Sequence, residues 1–130
     1  MNILVCYDET EAAQEALKVA VQHAKALDAK AFVITSMIGG TKDNIDDNKR
    51  AESGLKYAQG VLEKNGISCN THLLVRGLTS GEDILQFADE NDINEIIIGI
   101  KKTSKVGKLV FGSTAQHVIL ESKCPVVTVK

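Results

Sequence analysis

No stretch of this chain stays apolar over the roughly 20 residues that a membrane-spanning helix needs, so no membrane insertion is predicted. The chain opens Met1-Asn2-Ile3-Leu4-Val5 without a basic n-region, a long apolar h-region or a small-residue cleavage site, which predicts a cytoplasmic location. There is no N-x-Ser/Thr acceptor and no low-complexity tract. Cysteine is scarce and odd in number: Cys6, Cys69 and Cys124 lie far apart, which excludes a disulfide framework and reads as buried thiols in a reducing compartment. A formal net charge of −2 excludes a general binder of nucleic acid or of anionic membranes.

Complete catalytic motifs are missing as well. Around Gly107-Lys108-Leu109, a P-loop would need an earlier glycine where Lys102 stands and a hydroxyl where Leu109 stands. A flavodoxin would carry a hydroxyl- and glycine-rich loop after the first strand, a place held here by Asp8-Glu9-Thr10-Glu11. A phosphoacceptor receiver would need a carboxylate after the third strand, where Arg76-Gly77 occurs. There is no Gly-x-Ser-x-Gly elbow, and His23, His72 and His117 have no metal-ligand spacing. His23 and His117 read as ordinary helix-surface residues. The acidic run Asp43 to Asp47 lacks the alternation and glycine of a calcium loop. Cys6, inside the first apolar run, reads as a small core residue rather than a nucleophile. No catalytic and no metal-ligating residue is predicted.

What is present is an alternation of strands and helices over 130 residues, read as one domain, 1–130. Strands are predicted at Ile3–Tyr7, Lys30–Met37, Ile67–Val75, Glu95–Gly99 and Val126–Val129. The third is interrupted by Asn70 and His72, which places it near a sheet edge. Between them run helical stripes: Ala13, Ala16, Leu17, Ala20, Ala24 and Leu27 after an N-cap at Thr10; Ala51, Leu55, Ala58 and Leu62 between a break at Gly39-Gly40 and Asn65-Gly66. A third helix, capped by Ser80 with Asp83, carries Ile84, Leu85 and Ala88. A fourth, capped by Ser113 with Gln116, carries Ala115, Val118, Ile119 and Lys123. Crossovers of this length imply a parallel sheet with helices on both faces, and the unbroken Ile96-Ile97-Ile98 run fits a strand covered on both sides.

The segment from Gly99 to Gln116 is the most informative. It leaves a buried-looking strand, crosses four lysines without an acid and reaches a helix start at Gly112-Ser113. Free N–H groups at a helix start, together with the helix dipole, make an anion site. Ligands of such sheets bind beyond the carboxyl ends of the strands, where the winding reverses. If the first and fourth strands are neighbours there, Asp8 and Gly99 share the mouth of one crevice.

The chain resembles the universal stress protein family over nearly its whole length. The resemblance is carried by Asp8 ahead of a capped alanine-rich helix, Arg76-Gly77 leading into a helix, Ile96-Ile97-Ile98-Gly99, the Gly112-Ser113 helix start and Cys124-Pro125-Val126-Val127-Thr128-Val129. Nucleotide-binding members carry Gly-x-x-Gly, nine residues, then Gly-Ser/Thr. Gly99, Gly112 and Ser113 match that spacing, and Lys102 stands where the second glycine would be. The resemblance implies a three-layer α/β/α sandwich with a five-stranded parallel sheet in the order 3-2-1-4-5. It implies ATP, ADP or AMP as ligand, with or without magnesium. Asp8 would lie near the nucleoside, with backbone around Tyr7 and Ser36 facing the adenine. Ile98, Gly99, Lys101, Lys102, Gly112, Ser113 and Thr114 would complete the nucleotide site. The terminal strand would pair in a homodimer, and an unidentified protein partner would read the bound state.

Lys102 leaves two readings open. If a positive φ is required there, lysine costs about 1–2 kcal/mol relative to glycine. An ammonium about 4 Å from a phosphate returns up to roughly 4 kcal/mol of attraction at an effective dielectric near 20. The lysine is then either a clamp replacing a backbone nest or the mark of a member that has lost tight ATP binding. The corresponding functions are a stress-response protein acting through ligand-dependent association or signalling, with at most slow ATP hydrolysis, and a homodimeric interaction module without nucleotide. An enzyme acting on an adenylylated substrate is a third class that the fold alone allows.

Overall fold

The computed structural model describes residues 1–37, 45–100 and 112–130. The Gly39-Gly40 break, Lys101 and Lys102 lie outside the described residues. Five strands, β1 (Asn2–Cys6), β2 (Lys30–Ser36), β3 (Cys69–Leu74), β4 (Glu95–Gly99) and β5 (Val126–Val129), form one parallel sheet in the order β3-β2-β1-β4-β5. The helices between them are α1 (Glu11–Leu27), α2 (Ile45–Lys64), α3 (Ser80–Glu90) and α4 (Ser113–Glu121). The sheet order and the edge position of β3 are as expected.

Alternation along the strands divides the core into two layers. Ile3, Val5, Ala31, Val33 and Ile97 face α1 and α2, meeting Ala13, Ala16, Leu17, Ala20, Leu55, Ala58 and Leu62. Leu4, Phe32, Ile34 and Ile96 face α3 and α4, meeting Ile84, Phe87, Ala88 and Val118. Ile96 and Ile97, fully buried on opposite faces, explain why β4 has no polar side. The alanine stripe brings α1 close to the sheet, and Gly99 sits where that approach is tightest. A Cβ built on Gly99 would lie 2.5 Å from the Ala12 carbonyl carbon and 2.8 Å from the Ala13 nitrogen.

Helix starts follow side-chain chemistry, with two corrections. Thr10 caps α1 as expected, its hydroxyl accepting the Ala13 N–H at 3.1 Å. The cap of α3 is Thr79, one residue before the expected Ser80. Thr79 is extended, with φ −63° and ψ 156°; its hydroxyl accepts the Glu82 N–H at 3.4 Å and donates to Glu82 Oε1 at 2.6 Å. Asp83 takes no part because Arg76 draws it inward. At α4 the N-cap is Gly112, with φ −65° and ψ 160°, so Ser113 is already the first helical residue. Its hydroxyl is therefore not the cap expected there. Helix α4 ends at Glu121, before Lys123, and Ile119 is partly exposed rather than core.

Two other expectations change. The three cysteines are unpaired but only partly buried. His23 is not a free surface residue: its Nδ1 meets Glu95 Oε1 at 2.5 Å, tying α1 to the start of β4. His117 is exposed, yet its ring packs over Gly81, where a Cβ would come within 2.8 Å of its Cδ2. This contact joins α4 to α3.

Candidate functional site

Beyond the carboxyl ends of β1, β2 and β4 lies a cavity of about 320 Å³. It forms between β1 and β4, where the strand order reverses, the switch point of the winding. Its lining includes Tyr7, Asp8, Ser36, Ile98, Gly99, Gly112, Ser113 and Thr114, all eight described members of the expected nucleotide site. Lys101 and Lys102, the other two, lie outside the described residues. Thr10, Ala12, Ala13, Thr35, Ser80 and Ile84 also line it and were not singled out by the sequence. Thr10 and Ser80 carry only the signature of a helix cap, and the rest carry no motif that could mark them as ligand contacts.

Three helix starts converge on this cavity, supplied by Ala12 and Ala13 of α1, Ser80 of α3, and Gly112 to Ala115 of α4. They differ in what satisfies their first N–H groups. Threonine hydroxyls cap α1 and α3, whereas Gly112 brings no side-chain cap to α4. Among the described residues no side chain caps the amide groups that open α4, and the helix dipole favours negative charge there. A Cβ on Gly112 would meet none of the described residues within 4 Å. Its bareness keeps the approach to those amides open.

Asp8 is the one charged side chain among the described lining residues. Its Oδ1 accepts both the N–H of Thr10, at 3.1 Å, and the Thr10 hydroxyl, which holds the carboxylate at the cavity mouth. Tyr7 is buried beneath it. Burial, then the neighbouring Tyr57, Glu9 and Asp8, push its phenol above the ordinary value. The Tyr7 carbonyl accepts the Thr35 hydroxyl at 2.7 Å. Cys6 also lines the cavity, and burial followed by the charge of Asp8 pushes its thiol up to about 12. A thiol so protonated is no nucleophile near neutrality. Iodoacetamide at pH 8, followed by peptide mass mapping, is expected to leave Cys6 unmodified in the folded protein and to alkylate it after denaturation in urea. Rapid native labelling would show that the thiol is ionised.

Behind the cavity wall is a contact that no sequence spacing indicates. Asp83, with no exposed surface, receives Arg76 Nε at Oδ1 (2.6 Å) and Ser36 Oγ at Oδ2 (2.8 Å). Arg76 also reaches Glu90 Oε1 at 2.9 Å. Burial acts to lower the guanidinium pKa, but the hydrogen bonds and charges of Asp83 and Glu90 outweigh it and the net shift is upward. The Ser36 hydroxyl is consequently turned to the α3 side, leaving its backbone to face the cavity. Among the described residues no three His, Cys, Asp or Glu side chains converge as a metal site, and none of their helices is long and apolar enough to cross a membrane.

The sheet order and the switch-point cavity define a three-layer α/β protein with a cavity beyond its strand ends. A family model described as the universal stress protein family matches residues 1–130. The chain belongs to the universal stress protein family. A universal stress protein of Mycolicibacterium smegmatis is 31% identical over 129 residues, covering 98% of this chain and 96% of the relative. Among solved structures, a universal stress protein from Archaeoglobus fulgidus superposes with a TM-score of 0.92 at 38% identity, covering 100% of this chain and 98% of that one. One from the same organism in complex with dAMP gives 0.86 at 34% identity, with the same coverage.

Proposed function

We propose that this protein binds an adenine nucleotide, ATP or its products ADP and AMP, in the switch-point cavity and acts through ligand-dependent association or signalling. The uncapped start of α4 opening into that cavity carries the reading, because phosphate is the common biological anion that such a helix end accepts. Asp8, with Oδ1 committed to Thr10, keeps Oδ2 for a sugar hydroxyl. Gly99 and Ile98 form the floor, and Ser113 and Thr114 add hydroxyls to the phosphate end. Lys101 and Lys102 supply counter-charge. The relative solved with dAMP supports the choice of adenine. Magnesium, where it takes part, is held by the phosphate oxygens, since Asp8 is the one carboxylate lining the cavity among the described residues. The same scarcity of ionisable groups makes ATP hydrolysis slow at most. Unpaired cysteines support a reducing, cytoplasmic setting.

Calorimetric titration with ATP, ADP and AMP tests this. Binding of all three is expected, with ATP the tightest if the lysines reach the γ-phosphate. Ligand at 100 times its Kd would stabilise the fold by about 2.7 kcal/mol and raise Tm by roughly 10 °C. No heat at millimolar nucleotide would remove the reading. Lys102→Gly then separates the two roles of that lysine, because weaker binding identifies a clamp and stronger binding an obstructed site.

A homodimeric interaction module is the second reading, favoured by the far edge of the sheet. Among the described residues β5 has no strand beyond it, its sequence Val126-Val127-Thr128-Val129 carries no charge, and Leu120 on the preceding helix is 78% exposed. Natural edges are normally blunted by charge or proline, so a bare one calls for a partner strand. Sedimentation with and without ATP distinguishes a constitutive dimer from a ligand-dependent one.

A further inference from the structure

Asp83 is a wholly buried carboxylate in no direct contact with the cavity, and the nucleotide reading leaves it without a role. Its second oxygen nevertheless holds a residue of the cavity wall. Residues along β2 turn their backbone groups alternately toward β1 and β3. The Tyr7 N–H reaches the Ile34 carbonyl at 2.9 Å, on the β1 side, and the Met37 N–H reaches the Leu74 carbonyl at 2.8 Å, on the β3 side. Ser36 therefore aims its N–H and C=O to the β1 side. The last registered pair there is Cys6↔Ile34, so Ser36 projects past the end of β1. The next acceptor along, the Tyr7 carbonyl, takes the Thr35 hydroxyl. Ser36 thus presents a donor and an acceptor side by side at the cavity.

We infer that Asp83, itself held by Arg76, is a positioning residue for base selection: through the Ser36 hydroxyl it sets the angle of the one backbone edge that reads the ligand's base. The inference rests on the nucleotide reading above. A backbone N–H and C=O in fixed relation match the N1 acceptor and N6 amino donor of adenine. They mismatch hypoxanthine, which carries an N1–H donor and an O6 acceptor at the same places. Discrimination by paired hydrogen bonds requires that the edge not swing to suit the wrong base. The grip that prevents this runs from α3: Ser36 Oγ to Asp83 Oδ2 at 2.8 Å, and Asp83 Oδ1 to Arg76 at 2.6 Å.

The test compares AMP and IMP by calorimetry on the full chain, in the wild type and in Ser36→Ala, Ser36→Thr and Asp83→Asn. The wild type is expected to favour AMP on the order of 100-fold, and Ser36→Ala to reduce that ratio to roughly tenfold. Ser36→Thr, which keeps the hydroxyl, restores the preference, and Asp83→Asn lowers it. A merely structural role for the pair would change Tm without moving the AMP to IMP ratio. An unchanged ratio in Ser36→Ala, or equal wild-type affinity for the two nucleotides, overturns the inference while leaving the nucleotide reading standing. Failure of the wild type to bind either one overturns both.

Discussion

Replacing Asp83 by alanine is expected to lower the free energy of unfolding by about 3–5 kcal/mol. The aspartate is fully buried, and two side chains depend on its carboxylate: Arg76 and Ser36. Truncation removes the charge that pairs with the solvent-accessible Arg76 guanidinium and leaves the Ser36 hydroxyl facing an apolar gap. Glu90 keeps part of Arg76 satisfied at its exposed end, which keeps the loss from exceeding this range. A shape-matched pair such as Asp83→Leu with Arg76→Met should recover most of the stability, because the cost lies in orphaning one partner more than in losing the pair. Urea denaturation of the single and double variants measures both effects. A loss below about 1 kcal/mol for Asp83→Ala would mean that water replaces the carboxylate at that position.

Gly99→Ala should be nearly as damaging, by about 3 kcal/mol, for a different reason. The added methyl would press on the Ala12 carbonyl and the Ala13 nitrogen of α1, and these are backbone atoms that no rotamer change can move aside. Relief would require lifting α1 off the sheet, which breaks the alanine packing, or displacing β4, which breaks its pairing with β5 at Gly99↔Val129. Gly112→Ala is the control. Its φ of −65° is ordinary and open space surrounds it, so stability should change by no more than about 0.5 kcal/mol. Its added methyl stands at the mouth of α4, however, so affinity for AMP should fall even as Tm holds. Thermal unfolding paired with nucleotide titration would show the two glycines doing different work. Equal Tm values for both variants would contradict the steric account of Gly99.

Much of this architecture was legible in the chain itself, and particular residues show why. Apolar runs such as Ile96-Ile97-Ile98 and the alanine stripe of α1 encode burial directly, since hydrophobic periodicity is the same quantity in the sequence and in the fold. The Thr10 cap was readable because a helix start is a local event. Where two hydroxyls compete, local rules fail. Thr79 and Ser80 are both acceptable caps, and Glu82 and Asp83 are both acceptable partners for one. Thr79 with Glu82 took the role because Asp83 is claimed by Arg76 and by Ser36, 47 residues away in the chain. No spacing rule reports such a contact.

The sequence by itself determined the alternation of strands and helices, the absence of a catalytic motif and the glycine frame around Gly112-Ser113. Only the tertiary structure decided what each of those residues is for. Gly99 is needed by the approach of α1, Gly112 brings no side-chain cap to α4, and His23 and Asp83 are bound to partners far along the chain. Propensity, periodicity and capping act over a few residues and are therefore written in order along the chain. Steric contact and charge pairing act through space, and folding alone chooses which distant groups they join.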